Sequence, residues 1–297
     1  MTAPTISVVF TDLDNTLYDW VAWYSRAFYR MLDGAAMRSG VARSTLLEQV
    51  QQLYQRRHRL EEPEALLHAP AISAYYGDPQ RARAALAGAF ASYYRGGSST
   101  DLQTYPGVRA TLQRLVAHGV RVVGHTEAPA NHAVARLRAL GLEHAFVSLL
   151  AAPPALDDPT TPDVDLEQLP FPVRCLESHE RKPNPAVLLQ LCAHLEVSPR
   201  SAVYVGDSLG RDVRMARSVG MWTAWARYGT RHHPRDWERV VQVSPWTASQ
   251  RAQARDDEPG PETRPDVVLH DSFAELSAHF DFDPLRSSDP ATALVAQ

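Results

Sequence analysis

Asp12 and Asp14 stand two residues apart in Phe10-Thr11-Asp12-Leu13-Asp14-Asn15-Thr16-Leu17, directly after the apolar run Ile6-Ser7-Val8-Val9-Phe10. Side chains at this spacing share a face while the chain stays extended. Two like charges held so close are unfavourable, so the pair calls for a bound cation or for one carboxyl kept protonated. Further reactive groups follow. Thr126 comes after Val122-Val123-Gly124-His125, and Lys182 stands before Pro183. A second acid pair, Asp207 and Asp212, lies in Gly206-Asp207-Ser208-Leu209-Gly210-Arg211-Asp212. A fold that gathers these groups sets four carboxylates around one ammonium, and a divalent cation is then expected on electrostatic grounds alone.

The flanking segments read as alternating strands and helices. Ile6–Phe10 is short, apolar and rich in β-branched residues, the pattern of a buried parallel strand. Ligands of open α/β sheets bind beyond the carboxyl ends of such strands, where Asp12 and Asp14 stand. Residues 19 to about 95 then form a helical insertion of roughly 80 residues, far longer than a parallel crossover needs. Trp20-Val21, Tyr24, Ala27-Phe28 and Met31-Leu32 recur at helical spacing, as do Leu46-Leu47, Val50 and Leu53-Tyr54. More helix is expected over Glu64–Tyr76 and Gln80–Tyr94, with a break at Gly96-Gly97-Ser98-Ser99.

Alternation resumes with a helix from Pro106-Gly107 to about His118 and a strand at Val120–Gly124. A helix over Asn131–Leu140 closes at Gly141. A short strand at Val173–Leu176 precedes a helix over Pro185–Leu195. Next come a strand at Ala202–Val205, a helix over Asp212–Val219 closed by Gly220, and strands at Trp222–Ala226 and Val267–Leu269. Repeated units of this kind predict an α/β fold, a parallel sheet with helices on both faces. Pro153–Pro172 reads as an exposed loop. Thr230–Pro265 reads as a long polar excursion of low periodicity, mobile over Arg251–Arg264, and the tail after Asp283 as frayed.

With the acid pair, hydroxyl, lysine and second acid pair in this order, each beside an expected strand end or helix start, the chain resembles the haloacid dehalogenase-like (HAD) superfamily of phosphohydrolases. The match spans residues 6–226. The resemblance implies a Rossmann-like core over 1–17 and 100–283, an inserted helical cap over 18–99 of the phosphoglycolate phosphatase type, and a tail over 284–297. It implies Mg²⁺ and an aspartyl-phosphate intermediate.

The implied roles have physical reasons. Asp12 is the nucleophile, ionised at neutral pH and able to form an acyl phosphate. Asp14 is the general acid that protonates the leaving alkoxide and then activates water. Thr126 hydrogen-bonds a phosphoryl oxygen, and Lys182 balances nucleophile and phosphate with a fixed positive charge. Asp12 and Asp207 hold Mg²⁺ through their side chains and Asp14 through its main-chain carbonyl, with hard oxygen donors of the kind that ion prefers. Asp212 supports, through water or by orienting Lys182. Glu127 follows Thr126 where many relatives carry Asn, a departure from the family pattern.

The substrate expected is a small phosphorylated metabolite. A phosphomutase with the same acid pair, a haloacid dehalogenase, and a non-catalytic binding protein on the same fold are the competing readings. A net charge of −4 favours neither a nucleic-acid nor an anionic-membrane partner. No apolar run reaches membrane-spanning length and no signal-peptide pattern opens the chain, so a cytoplasmic location is expected. Cys175 and Cys192 have no metal-type spacing. His58 and His232-His233 lack the spacing of known metal sites. Gln55–Arg59 reads as a solvated helix face, or as the source of a cation that reads an anionic substrate group. Trp20, Trp23 and Tyr24 read as packing, with Tyr18, Asp19 and Trp20 near the entry to the insert. No Gly-x-Gly-x-x-Gly is present, so dinucleotide binding has no support. Oligomeric state is not legible.

Overall fold

Val8 and Phe10 point to one side of their strand and Val9 to the other, and all three are fully buried. A strand buried on both faces needs a helical layer on each. The computed structural model describes residues 3–57, 60–95, 101–155, 164–253 and 258–283. The chain opens with β1 (Thr5–Ile6) and β2 (Val8–Thr11), followed by α1 (Trp20–Ser39), α2 (Arg43–Arg57), α3 (Pro70–Tyr76) and α4 (Pro79–Arg95). Then come α5 (Val108–Ala117), β3 (Arg121–Pro129), α6 (Ala130–Ala139), β4 (Ser148–Ala152), β5 (Val173–Cys175) and α7 (Ala186–His194). The last part holds β6 (Ala202–Gly206), α8 (Arg214–Ser218), β7 (Trp222–Ala226), α9 (Pro234–Val243), α10 (Ala248–Gln253), β8 (Val267–Leu269) and β9 (Asp281–Phe282).

Seven parallel strands pair in the order β5-β4-β3-β2-β6-β7-β8. The chain runs outward from β2 through β5, then returns to β6 on the other side of β2. This reversal places the carboxyl ends of β2, β3 and β6 around one crevice, where open α/β sheets bind ligands. Val8, Phe10, Leu150 and Tyr204 pack against Val187, Leu188 and Leu191 of α7 and against Met215 of α8. Val9, Val122, Leu149 and Val205 face the layer that carries Leu112 of α5 and Val134 and Leu137 of α6. The fold is thus α/β with helices on both faces, as the alternation in the sequence predicts.

Helices α1–α4 lie between β2 and β3. Asp19 caps α1 by accepting from the Ala22 N–H at 2.9 Å, and Gly40 ends it at φ 69°. The apolar stripe of α1 packs on α2 and α4.

Several elements differ from expectation. The first apolar run is divided at Ser7, and its opening pair joins β9 in a two-stranded sheet. β3 continues five residues past Gly124, so Thr126 lies within the strand, where pairing with β4 shifts register between His125 and Pro129. The segment over Glu64–Tyr76 divides into a 3₁₀ turn, Pro63–His68, and α3, because Pro70 restricts Ala69 to extended backbone. The expected helix over Asp212–Val219 begins earlier as a π turn, Leu209–Val213, and continues as α8.

The largest correction concerns Thr230–Pro265, which is not a featureless excursion. Pro234–Val243 is a helix whose Trp237, Val240 and Val243 form a buried stripe at spacing three. It docks on α1 and α2: Ser25 Oγ donates to Asp236 Oδ1 at 2.9 Å and Tyr29 O–H to Gln242 Oε1 at 2.7 Å. Arg239 covers the Tyr29 ring at 4.7 Å. Charged residues between the apolar positions mask this stripe in the sequence. Gly96–Ser99, His58, 156–163 of the proline-rich loop, 254–257 and the tail from 284 lie outside the described residues. Among the described residues, no helix is long and apolar enough to cross a membrane.

Candidate active site

β2 ends at Thr11 and β6 at Gly206, so the adjacent parallel strands deliver Asp12 and Asp207 side by side. The Asp12 N–H continues the ladder, donating to Val205 O at 2.9 Å. Gly206 is required by close approach: a Cβ there would lie 2.4 Å from Asp212 Oδ2. That lets Asp212 fold back, where its Oδ2 accepts from the Ser208 N–H at 3.1 Å. Asp12, Asp207 and Asp212 can each set a carboxylate oxygen within 4.8 Å of the other two.

Lys182 reaches the same point from the turn before α7. Its buried Nζ donates to Asp12 Oδ1 and lies 2.8 Å from Asp212 Oδ1, over the Tyr204 ring at 5.6 Å. Asp12 Oδ2 accepts from Thr16 Oγ1 at 3.1 Å. Thr126 is buried at the crevice and is not a helix cap: α6 starts at Ala130, and Thr126 Oγ1 accepts from the Ala128 N–H at 3.1 Å. Glu127 beside it forms an ion pair with Arg211 at 2.7 Å.

Burial explains the electrostatics. It pushes the Asp12 carboxyl from 3.8 up to about 7, against the Lys182 ammonium and with the help of Asp212. Asp207 is raised well above the ordinary range by burial and then by Asp12 and Asp212. Burial alone would lower the Lys182 ammonium, but Asp12 and Asp212 outweigh it and hold it well above its usual value. Crowded with Asp212 around one ammonium, Asp12 and Asp207 thus hold on to their protons, and a cation set among them would favour their ionised forms. The donors of the crevice are hard carboxylate oxygens, and they fit a small divalent cation.

Asp14 points away from this cluster. Its two carboxylate oxygens lie 3.3 and 3.4 Å from Arg136 Nη2. Burial raises it above the ordinary range, opposed by Arg136 and reinforced by Glu61. Arg136 also gives Nη1 to both oxygens of Glu61, at 2.9 and 3.1 Å. Burial would raise Glu61, but Arg136 and His132 outweigh it and bring it from 4.5 down to about 2. Arg136, Glu61 and His132 are absent from the sequence reading. The one signal for Arg136 was a cation on the apolar side of α6, beside Ala133 and Leu137. Arg56 and Arg57 of the basic run in α2 are exposed, so the described residues of that run bring no cation to the crevice.

Asp12, Asp14, Thr126, Lys182 and Asp207 border one cavity of about 800 Å³. Trp20 and Glu61 of the insert and Trp237 and Trp246 of the C-terminal excursion line its far side. His232 stacks on Trp237 with centroids 5.2 Å apart, so it serves this wall rather than a metal site. The loop that carries Asp14 is braced by the 3₁₀ turn after β7, Arg227–Thr230: Tyr228 O–H donates to Thr16 O at 2.8 Å, and a Cβ on Gly229 would lie 1.7 Å from Asn15 O. Gly229→Ala is therefore expected to cost about 3 kcal/mol in chemical denaturation. It is also expected to lower turnover, because the displaced Asn15 adjoins Asp14.

A family model for haloacid dehalogenase-like hydrolases matches residues 6–220, and a second HAD-hydrolase-like model matches 179–276. The glyceraldehyde 3-phosphate phosphatase of Methanopyrus kandleri is 30% identical over 128 residues, 43% of this chain and 45% of that protein. The phosphoglycolate phosphatase of Pasteurella multocida is 28% identical over 138 residues, 46% and 51% of the two chains. The chain thus spans about half the length of the curated relatives it matches. The crystal structure of a 2-haloacid dehalogenase from Pseudomonas syringae pv. tomato aligns with a TM-score of 0.56 at 22% identity, covering 92% of this chain and 97% of that one. That likeness is one of fold.

Proposed function

The chain belongs to the haloacid dehalogenase-like hydrolase family, and from that premise we propose that it is a phosphatase that hydrolyses a small phosphate monoester through a phosphorylated Asp12. The observation that carries this reading is the buried Lys182 Nζ shared by Asp12 and Asp212, with Asp207 beside them, at the head of a cavity large enough for a metabolite. Residues 18–99 act as a cap over a core of 1–17 and 100–283. Both cysteines are free, in keeping with a cytoplasmic protein.

The reaction runs in two displacements. Asp12 Oδ attacks phosphorus, the Asp12–phosphorus bond forms and the bond to the ester oxygen breaks. Asp14 gives its proton to the departing alkoxide. Lys182 and Thr126 hold phosphoryl oxygens, and Asp212 orients Lys182. Water then attacks phosphorus, losing a proton to Asp14, and Asp12 is released with inorganic phosphate. Asp12 and Asp207, with the main-chain carbonyl of Asp14, would hold Mg²⁺. When bound, that ion offsets negative charge on the carboxylates and the phosphoryl group. Trp20, Glu61, Trp237 and Trp246 meet the leaving group.

A panel of phosphorylated metabolites assayed with Mg²⁺ tests the reading. Release of inorganic phosphate is the expected result. Recovery of an isomerised sugar phosphate instead would make the protein a mutase, halide release from 2-haloacids would make it a dehalogenase, and no turnover on either class would leave a binding protein.

A further inference from the structure

We propose that Arg136 is the positioning residue of the acid Asp14, and that Glu61, reaching from the helical insert, locks its guanidinium in place. The proposal rests on the phosphatase reading and adds to it the group that aims the proton donor.

A buried guanidinium is costly unless its donors are all used. Arg136 is 3% exposed and uses every edge. Nη2 meets Asp14 at 3.3 and 3.4 Å, Nη1 meets Glu61 at 2.9 and 3.1 Å, and Nε donates to the Tyr18 hydroxyl Oη at 3.2 Å. Its planar face lies 5.0 Å from the Trp23 ring. Glu61 is held in turn by Trp20 Nε1 at 2.5 Å and lies 3.0 Å from His132 Nδ1. A fork clamped on this many sides fixes the direction of the carboxylate it touches, which a flexible ammonium would not.

Asp14 has reason to need such a clamp. A proton donor must meet the ester oxygen within hydrogen-bond reach, and the side chain sits in the loop after β2, at an isolated bridge to Tyr18, rather than inside a regular strand. Arg136 does not border the cavity, so it acts through Asp14 and not on the substrate. Glu61 takes the closer pair of contacts from the guanidinium, which anchors one end of the fork while Nη2 faces Asp14. Asp14 comes from the loop after β2, Arg136 from α6 and Glu61 from the insert, so the aim of the donor depends on the insert being seated.

Leaving-group dependence tests this. An alkyl phosphate needs a proton on its departing oxygen, whereas 2,4-dinitrophenyl phosphate does not. Arg136→Lys, a change outside the cavity wall, is expected to lower kcat/KM for the alkyl ester roughly 100-fold and to leave the dinitrophenyl ester within about threefold. Turnover of the dinitrophenyl ester reports that the variant is folded and Asp12 intact. In an Asp14→Asn background, Arg136→Lys is expected to cost the alkyl ester little more, because both changes disable one step. Parallel losses on both esters, no loss on either, or a full additional loss in the Asp14→Asn background would overturn the proposal. A wild-type protein that cleaves neither ester would instead remove the phosphatase reading on which it stands.

Discussion

Asp12→Asn lowers kcat by at least about 10³-fold on any phosphate ester the protein hydrolyses, a loss of about 4 kcal/mol of transition-state stabilisation. The amide is nearly isosteric with the carboxylate but is a far poorer nucleophile, so the first displacement fails while the cavity keeps its shape. The fold is expected to survive, because Lys182 retains Asp212 at 2.8 Å as an anionic partner. Circular dichroism and a melting curve check this. Retained binding of inorganic phosphate by the variant, through Lys182 and Thr126, would separate loss of chemistry from loss of the site. A variant with wild-type turnover would remove Asp12 as nucleophile.

Chelation of divalent ions is expected to abolish turnover, and added Mg²⁺ to restore it and raise the melting temperature more at about pH 8 than at about pH 5.5. The sign follows from Asp12 and Asp207, whose carboxyls are raised in the folded chain, Asp12 from 3.8 to about 7. A raised carboxyl stabilises the folded state through its proton. That contribution is fully present below the ordinary value of 3.8 and is lost as pH rises through about 7. The ion needs the deprotonated carboxylates, so its binding releases protons and strengthens as pH rises. Asp207→Asn is expected to abolish most of the Mg²⁺-induced shift without unfolding the protein, since it removes one member of a crowded acid cluster. Melting curves at several pH values, with and without Mg²⁺, measure both effects. A shift of equal size at every pH, or none, would contradict this electrostatic account.

Six of the seven strands and the reactive edge were legible because they are written locally, whereas β4 was not expected. Asp12, Asp14 and Asp207 follow apolar strands at fixed short distances, and β-branched runs between turn-formers mark those strands without knowledge of the neighbours. Helix α9 was not legible. Trp237, Val240 and Val243 make a narrow stripe that pays off only against α1 and α2, some two hundred residues earlier in the chain. Thr126 was read as following its strand because the alternation weakens at Gly124, whereas β4 continues to pair through Pro129. The Arg136–Glu61–Asp14 cluster left almost no trace, since one of two arginines in α6 and one of two glutamates before Pro63 acquire meaning only when three separate segments meet. The Trp237 and Trp246 wall was hidden for the same reason as α9, and it adds the C-terminal excursion to the insert as lining of the cavity.

Covalent capture of phosphate on Asp12 tests the central claim most directly. The protein would be mixed with a substrate labelled in its phosphoryl group, quenched in acid during turnover, reduced with borohydride and mapped by peptide mass. The account predicts label on the protein at the quench and homoserine in place of aspartate at position 12 after reduction. Steady turnover with no label on the protein, or reduction at another carboxylate, would contradict it.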